Sequence, residues 1–208
     1  MKNFSLTKFD AIDGTKLDQN NIPLSELAKA ELQQLKTTGF RTKHYQLTMG
    51  AIGCYLSHVK VWEHILKHDN DVVLVLEDDA KLPENFLSEV NENVKYIPND
   101  WDIILLGYLC KKCYEFQKYK EVERFQLTHA YLIKKTAIVK MMNSNTLFPI
   151  TQQIDALMSE LSSIINIYSL KKKIVPQFQS RTDIQAPIID KDLREKLNIN
   201  INDRIKVL

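Results

Sequence analysis

No apolar stretch in this chain approaches the ~20 residues that a membrane-spanning helix needs, which argues against an integral membrane protein. No apolar segment follows Met1-Lys2-Asn3-Phe4-Ser5-Leu6 to act as a signal peptide. Cysteines number three (Cys54, Cys110 and Cys113), too few for a disulfide framework. A reducing compartment is therefore the default, and a cytoplasmic protein is the expectation. Cys110-Lys111-Lys112-Cys113 lacks the two further ligands of a zinc site, so a pair of free thiols in a surface loop is expected. The net charge is +2, and Lys171-Lys172-Lys173 is the only tight basic run. Nucleic-acid binding thus has no compositional support. Internal repeats and low-complexity segments are absent. Glycine is scarce, with five residues, while lysine is frequent, a bias that tracks genome composition more than function.

What is present suffices for one folded unit. The 208 residues are 44% hydrophobic, enough to bury a core. Phe9-Asp10-Ala11-Ile12-Asp13-Gly14 reads as a strand end followed by an Asp-Gly turn. Leu24 to Leu35 has helical periodicity. Thr48 is a candidate N-cap for an amphipathic helix through Ile52, Leu56, Val59, Trp62 and Ile65. Pro83 suits the first turn of a helix through Phe86, Leu87 and Val90. Apolar runs at 72–76, 103–106 and 130–133 read as buried strands. Residues 110–123 read as a loop or irregular hairpin, and 135–142 and 154–165 as helices. Residues 168–175 return to the sheet. Alternation of this kind indicates an α/β domain.

One stretch carries the chemistry. Val72-Val73-Leu74-Val75-Leu76 runs directly into Glu77-Asp78-Asp79. An unbroken Val-rich run is typical of a strand buried on both faces, as in parallel sheets. The carboxyl ends of strands are where open α/β sheets bind ligands. Clustered carboxylates repel one another and resist burial unless a cation neutralises them. A divalent metal holding a phosphorylated substrate is one explanation; a solvated acidic turn is the other. Alternation along an extended chain puts Glu77 and Asp79 on one side and Asp78 on the other.

Several blocks, in order, resemble glycosyltransferase family 25, which includes bacterial lipooligosaccharide galactosyltransferases and collagen hydroxylysine galactosyltransferases. They are Phe9 to Gly14, Gly50 to His58, Leu76 to Ala80, Trp101 to Gly107 and His129 to Ile133. The Asp155 helix and the stretch from Pro176 through Gln179 to Ile184 complete the set. The resemblance implies a GT-A-like, Rossmann-like single domain over 1–184 with a mostly parallel central sheet, and a tail over 185–208. It implies metal-dependent, inverting transfer of a hexose, galactose first, from a UDP-sugar to a glycan or a hydroxylated protein side chain. Manganese or magnesium is the implied cofactor. The implied metal residues are Asp79 and Gln179, the donor-binding residues Glu77, Asp78, Ser57, His58 and Asp13, and the general base Asp155.

Three departures from the family pattern stand out. The family's opening strand and its Arg-containing turn have no counterpart before Phe9. Ala51 stands where the family has Glu, at the position of a capping-box acid relative to Thr48. The second domain of some larger relatives is also missing. The absent strand leaves a sheet edge to be covered by the tail or by a second copy of the chain, making a homodimer an expectation. It also keeps open an alternative: a degenerate transferase fold retained as a binding or assembly module. A Mg²⁺ phosphohydrolase would want a second Asp two residues after its nucleophile. Neither Asp78 nor Asp79 is followed by one.

Overall fold

The computed structural model describes residues 6–178. Gln179, the Thr182-Asp183-Ile184 block and the tail lie outside the described residues. A short 3-10 turn (Gly14–Lys16) and a second (Gln19–Asn21) lead into α1 (Glu26–Thr38) and α2 (Met49–Leu66). Then follow β1 (Val72–Leu76), α3 (Phe86–Val94), β2 (Ile103–Glu115) and β3 (Tyr119–Lys134). The order closes with α4 (Lys135–Asn143), α5 (Ile154–Glu160) and β4 (Ile167–Leu170).

The helix starts follow their local chemistry. Ser25 Oγ accepts from the Ala28 N–H at 3.2 Å, and Thr48 Oγ1 accepts from the Ala51 N–H at 3.0 Å. Each satisfies one of the donors that a helix N-terminus leaves free. Ala51 is itself buried in the core, so position 51 supplies no acid to the Thr48 cap. Pro83 lies in the turn before α3, its carbonyl accepting from the Phe86 N–H at 3.0 Å, rather than inside the helix.

Among the described residues the sheet has four strands in the order β1-β3-β2-β4. It is mixed and mainly antiparallel, which corrects the mostly parallel sheet expected from the sequence. β3 runs antiparallel to β1, β2 and β4, and only β2 and β4 are parallel. The reason lies in residues 103–134. They form one long hairpin instead of a strand and an irregular loop, and a short connection can only reverse the chain. β3 then inserts between β2 and β1. The runs in β2 and β3 are buried on both faces, but β1, expected to be buried likewise, is an edge strand in which Val75 alone is buried and Val72 is exposed. Ile103, Leu105, Tyr131 and Ile133 face a core built with α1, α2, α4 and α5. Ile104, Leu106 and Ala130 face a smaller one closed by Phe86, Ile97 and the 174–175 segment.

Two further expectations are corrected. Cys110 and Cys113 are bonded to one another within β2, where the β2–β3 register shifts between Cys110 and Cys113; they are not free thiols in a loop. Residues 9–13 form no strand. They lie across α2, where the backbones approach closely. A Cβ on Gly53 would stand 2.5 Å from the Ile12 carbonyl oxygen and 2.7 Å from the Gly14 nitrogen. Both are backbone atoms that cannot swing away.

This contact generates a test. Gly53→Ala is expected to lower stability by about 1–3 kcal/mol, the usual cost of overpacking, seen as a lower urea midpoint. An unchanged midpoint would mean that residues 9–14 do not sit on α2.

Candidate active site

The acids leave the end of β1 beside three consecutive residues of β3. Glu77 N–H donates to the His129 carbonyl at 2.9 Å. Thr128 Oγ1 donates to Glu77 Oε1 at 2.7 Å, and Leu127 N–H donates to Asp155 Oδ2 at 3.1 Å. His129 Nε2 donates to the Val175 carbonyl at 2.9 Å, across Gly107, where a Cβ would stand 2.1 Å from that nitrogen. Residues 127–129 thus tie together β1, α5 and the 174–177 segment. Leu127 holds a positive φ of 70°, a region where a non-glycine side chain is strained. Strain of this kind persists only where surrounding contacts over-determine it, and such sites are enriched in function.

His58, on the buried side of α2, is fully engaged. Its Nδ1 lies 2.9 Å from Tyr131 Oη and its Nε2 3.2 Å from Glu77 Oε1. Trp62 Nε1 donates to the same Tyr131 oxygen at 3.0 Å. One proton arrangement satisfies every group: Tyr131 O–H donates to Nδ1, and Nε2–H donates to Glu77. Burial pushes the Glu77 carboxyl up, but the hydrogen bonds from His58 and Thr128 outweigh it, and the net shift is downward. Cys54 Sγ lies within 4.8 Å of the His58 and Glu77 donor atoms. The trio does not suit a hard cation, because it mixes thiol and imidazole with one carboxylate. In the satisfied arrangement Nε2 also carries a proton. Burial, reinforced by Glu77, Asp155 and Asp79, raises the Cys54 pKa and keeps it a thiol.

Asp79 is different. Its Oδ2 accepts from Gln177 Nε2 at 2.6 Å, while Oδ1 is buried with no hydrogen-bond partner among the described residues. Burial raises its pKa, the Gln177 bond opposes this, and Glu77 adds repulsion. An orphaned carboxylate oxygen beside two other acids offers a hard oxygen ligand to a divalent cation. The chemistry of these oxygens is compatible with a hard divalent cation: Asp79 Oδ1 is the atom left without a partner among the described residues, and Asp78 next to it is exposed. His129 Nδ1 is likewise buried with no hydrogen-bond partner among the described residues.

The remaining candidates divide. Asp155 is brought into the site. Its Oδ1 accepts from the Ala156 N–H at 2.7 Å in addition to the Leu127 bond. Burial raises its pKa against these bonds, and Glu77 raises it further. Beside it, Ala156, Tyr45, Arg124 and Phe125 line a pocket of about 560 Å³. Ser57 is spent on structure: it donates to the Gly53 carbonyl at 2.7 Å and accepts from Ile12 N–H at 2.8 Å. It tethers the loop carrying Asp13, which is exposed and caps the Gly14–Lys16 turn. Asp102, at the other end of the sheet, is held by Lys140 at 2.7 Å and by the Asn166 N–H at 2.9 Å. Gln179 lies outside the described residues, and Gln177 is the amide that reaches Asp79. Thr128, His129, Tyr131 and Gln177 carry no role in the sequence reading. Thr128-His129 directly precedes a buried strand run, the mirror image of the signal that marked the acids.

The family model for "Glycosyltransferase family 25 (LPS biosynthesis protein)" matches residues 1–158. The chain belongs to glycosyltransferase family 25. It is 31% identical over 103 residues to procollagen galactosyltransferase 2 of Homo sapiens, covering 47% of this chain and 15% of that protein. The inactive glycosyltransferase 25 family member 3 of Homo sapiens is 41% identical over 64 residues, or 29% of this chain and 11% of that protein. A glycosyltransferase 25 family member of Aedes aegypti is 30% identical over 104 residues, or 48% and 16%. The matched regions thus span less than a fifth of these relatives' own length.

The Glu77 network has a pH signature. A carboxyl held below its ordinary value of 4.5 adds stability that is present above that value and lost as pH falls through the depressed one. Glu77→Gln should therefore be less stable by about 1–3 kcal/mol at neutral pH, with the deficit shrinking below pH 4.5. Unfolding curves at several pH values give the comparison. A deficit that stays constant with pH would mean that the charge is not what matters.

Proposed function

We propose that this chain is a metal-dependent, inverting hexosyltransferase with a GT-A-like site, taking galactose from UDP-galactose. The observation that carries the reading is the buried Asp79 Oδ1 after β1, without a hydrogen-bond partner among the described residues, in a family 25 chain. Asp79 would hold Mn²⁺ or Mg²⁺, with Asp78 beside it. The cation, when bound, neutralises charge developing on the diphosphate leaving group. Gln177 orients the Asp79 carboxylate through its other oxygen. Glu77, bonded by His58 and Thr128, is left to position the donor and to keep the turn in place.

Asp155 is the proposed general base. Each of its oxygens accepts one backbone N–H and keeps a lone pair. Its upward-shifted pKa makes it a stronger base than a free aspartate. The adjoining pocket would take the acceptor, a glycan or a hydroxylated protein side chain, whose hydroxyl gives its proton to Asp155 as the new bond forms. The identity to an inactive family member supports a second reading, a non-catalytic binding module.

The two readings separate on UDP release from UDP-galactose with and without Mn²⁺. Release that requires Mn²⁺ is the expected result, and none under any metal condition would favour the binding module. Asp79→Asn should lose Mn²⁺-dependent UDP binding, measured by calorimetry, while the fold survives; full binding would move the ligand elsewhere. Asp155→Asn should retain donor binding but lose about 10²–10⁴ in turnover, the usual contribution of a positioned base. An active Asp155→Asn enzyme would take the base role away from this residue.

A further inference from the structure

The free end of the β2–β3 hairpin carries a surface that the proposed reaction does not use. The described residues contain as many acidic as basic side chains, yet lysines gather here. Lys118 Nζ lies 5.1 Å from the centroid of Tyr96, and Lys95 Nζ reaches the same ring at 5.2 Å. Phe116 stacks on Tyr119 with centroids 4.7 Å apart. Lys171 N–H donates to the Lys118 carbonyl at 3.3 Å, bringing the exposed Lys171-Lys172-Lys173 run alongside. Glu115 is bound into the group by Lys120 at 2.8 Å and Lys171 at 2.7 Å. Lys95, Lys118, Lys172 and Lys173 make no ion pair among the described residues. Tyr96 and Phe116 remain 42% and 43% exposed in their midst.

Solvation accounts for surface lysines, but not for two large rings set among unpaired cations. Lysines near an anionic bilayer gain from its surface potential, and aromatic side chains favour the headgroup boundary. A soluble polyanion would use the lysines and leave the rings in water. We propose that this hairpin end docks on an anionic lipid bilayer, the lysines meeting the headgroups and Tyr96 and Phe116 entering the boundary. Lys173 stands four residues before Gln177, the residue bonded to Asp79, so docking would hold the candidate site beside the lipid surface. The inference is independent of the transferase reading.

Co-sedimentation of the full chain with vesicles tests it. The protein should pellet with phosphatidylcholine vesicles containing phosphatidylglycerol and not with phosphatidylcholine alone, and binding should weaken as salt rises. Lys118→Glu with Lys172→Glu should weaken binding roughly tenfold or more. Phe116→Ser should weaken vesicle binding while leaving binding to soluble heparin unchanged. Circular dichroism checks that these surface variants fold, and the two vesicle compositions decide the matter with the unaltered chain alone. No preference for phosphatidylglycerol vesicles overturns the proposal. So does vesicle binding that ignores both sets of substitutions. Binding lost with the lysines, competed by heparin and indifferent to Phe116→Ser would assign the patch to a soluble polyanion and equally overturn it.

Discussion

Everything near the candidate site hangs on three residues of one strand. Leu127, Thr128 and His129 reach in sequence to Asp155, Glu77 and Val175. The positive φ at Leu127 breaks the regular alternation of β3, so neighbouring residues can serve partners on different elements. The candidate base and the acidic turn belong to distant parts of the chain. They are held in register by hydrogen bonds to a single backbone segment.

The surrounding packing makes that segment rigid. β3 lies between β1 and β2 and is apolar on both faces where it crosses the core. Tyr131 shows how the interior serves the site. It is fully buried, and its hydroxyl joins Trp62 to His58, which then supports Glu77. A polar network this deep is stable only when each donor finds an acceptor, and here one tautomer of His58 satisfies them all. Against that background the oxygen of Asp79 and the nitrogen of His129 that lack partners among the described residues stand out.

The carboxylates have been given distinct characters by their surroundings. Glu77 is shifted down by His58 and Thr128, whereas Asp79 and Asp155 are shifted up mainly by burial. Groups pushed apart in this way suit different tasks. Glu77 is held in its charged form by hydrogen bonds, whereas burial makes Asp79 and Asp155 hold their protons more tightly than free carboxylates.

The sequence alone determined that the chain is α/β, where strands β1, β2 and β3 cross the core region, that Thr48 caps α2, and that acids end β1. These are local matters of apolar run length and capping chemistry. The sequence did not show that β1 lies at the sheet edge, half-exposed. The acidic turn was legible because three consecutive carboxylates follow an apolar run directly. Strand direction was not legible, since an apolar run says nothing of which neighbour lies beside it. The hairpin's short connection and the insertion of β3 between β1 and β2 decided that. Nor could spacing reveal that Ser57 is spent on the Gly53 and Ile12 backbone, or that Gln177 reaches Asp79. Those roles are set by contacts between residues far apart in the chain, and only tertiary structure brings them within hydrogen-bonding distance.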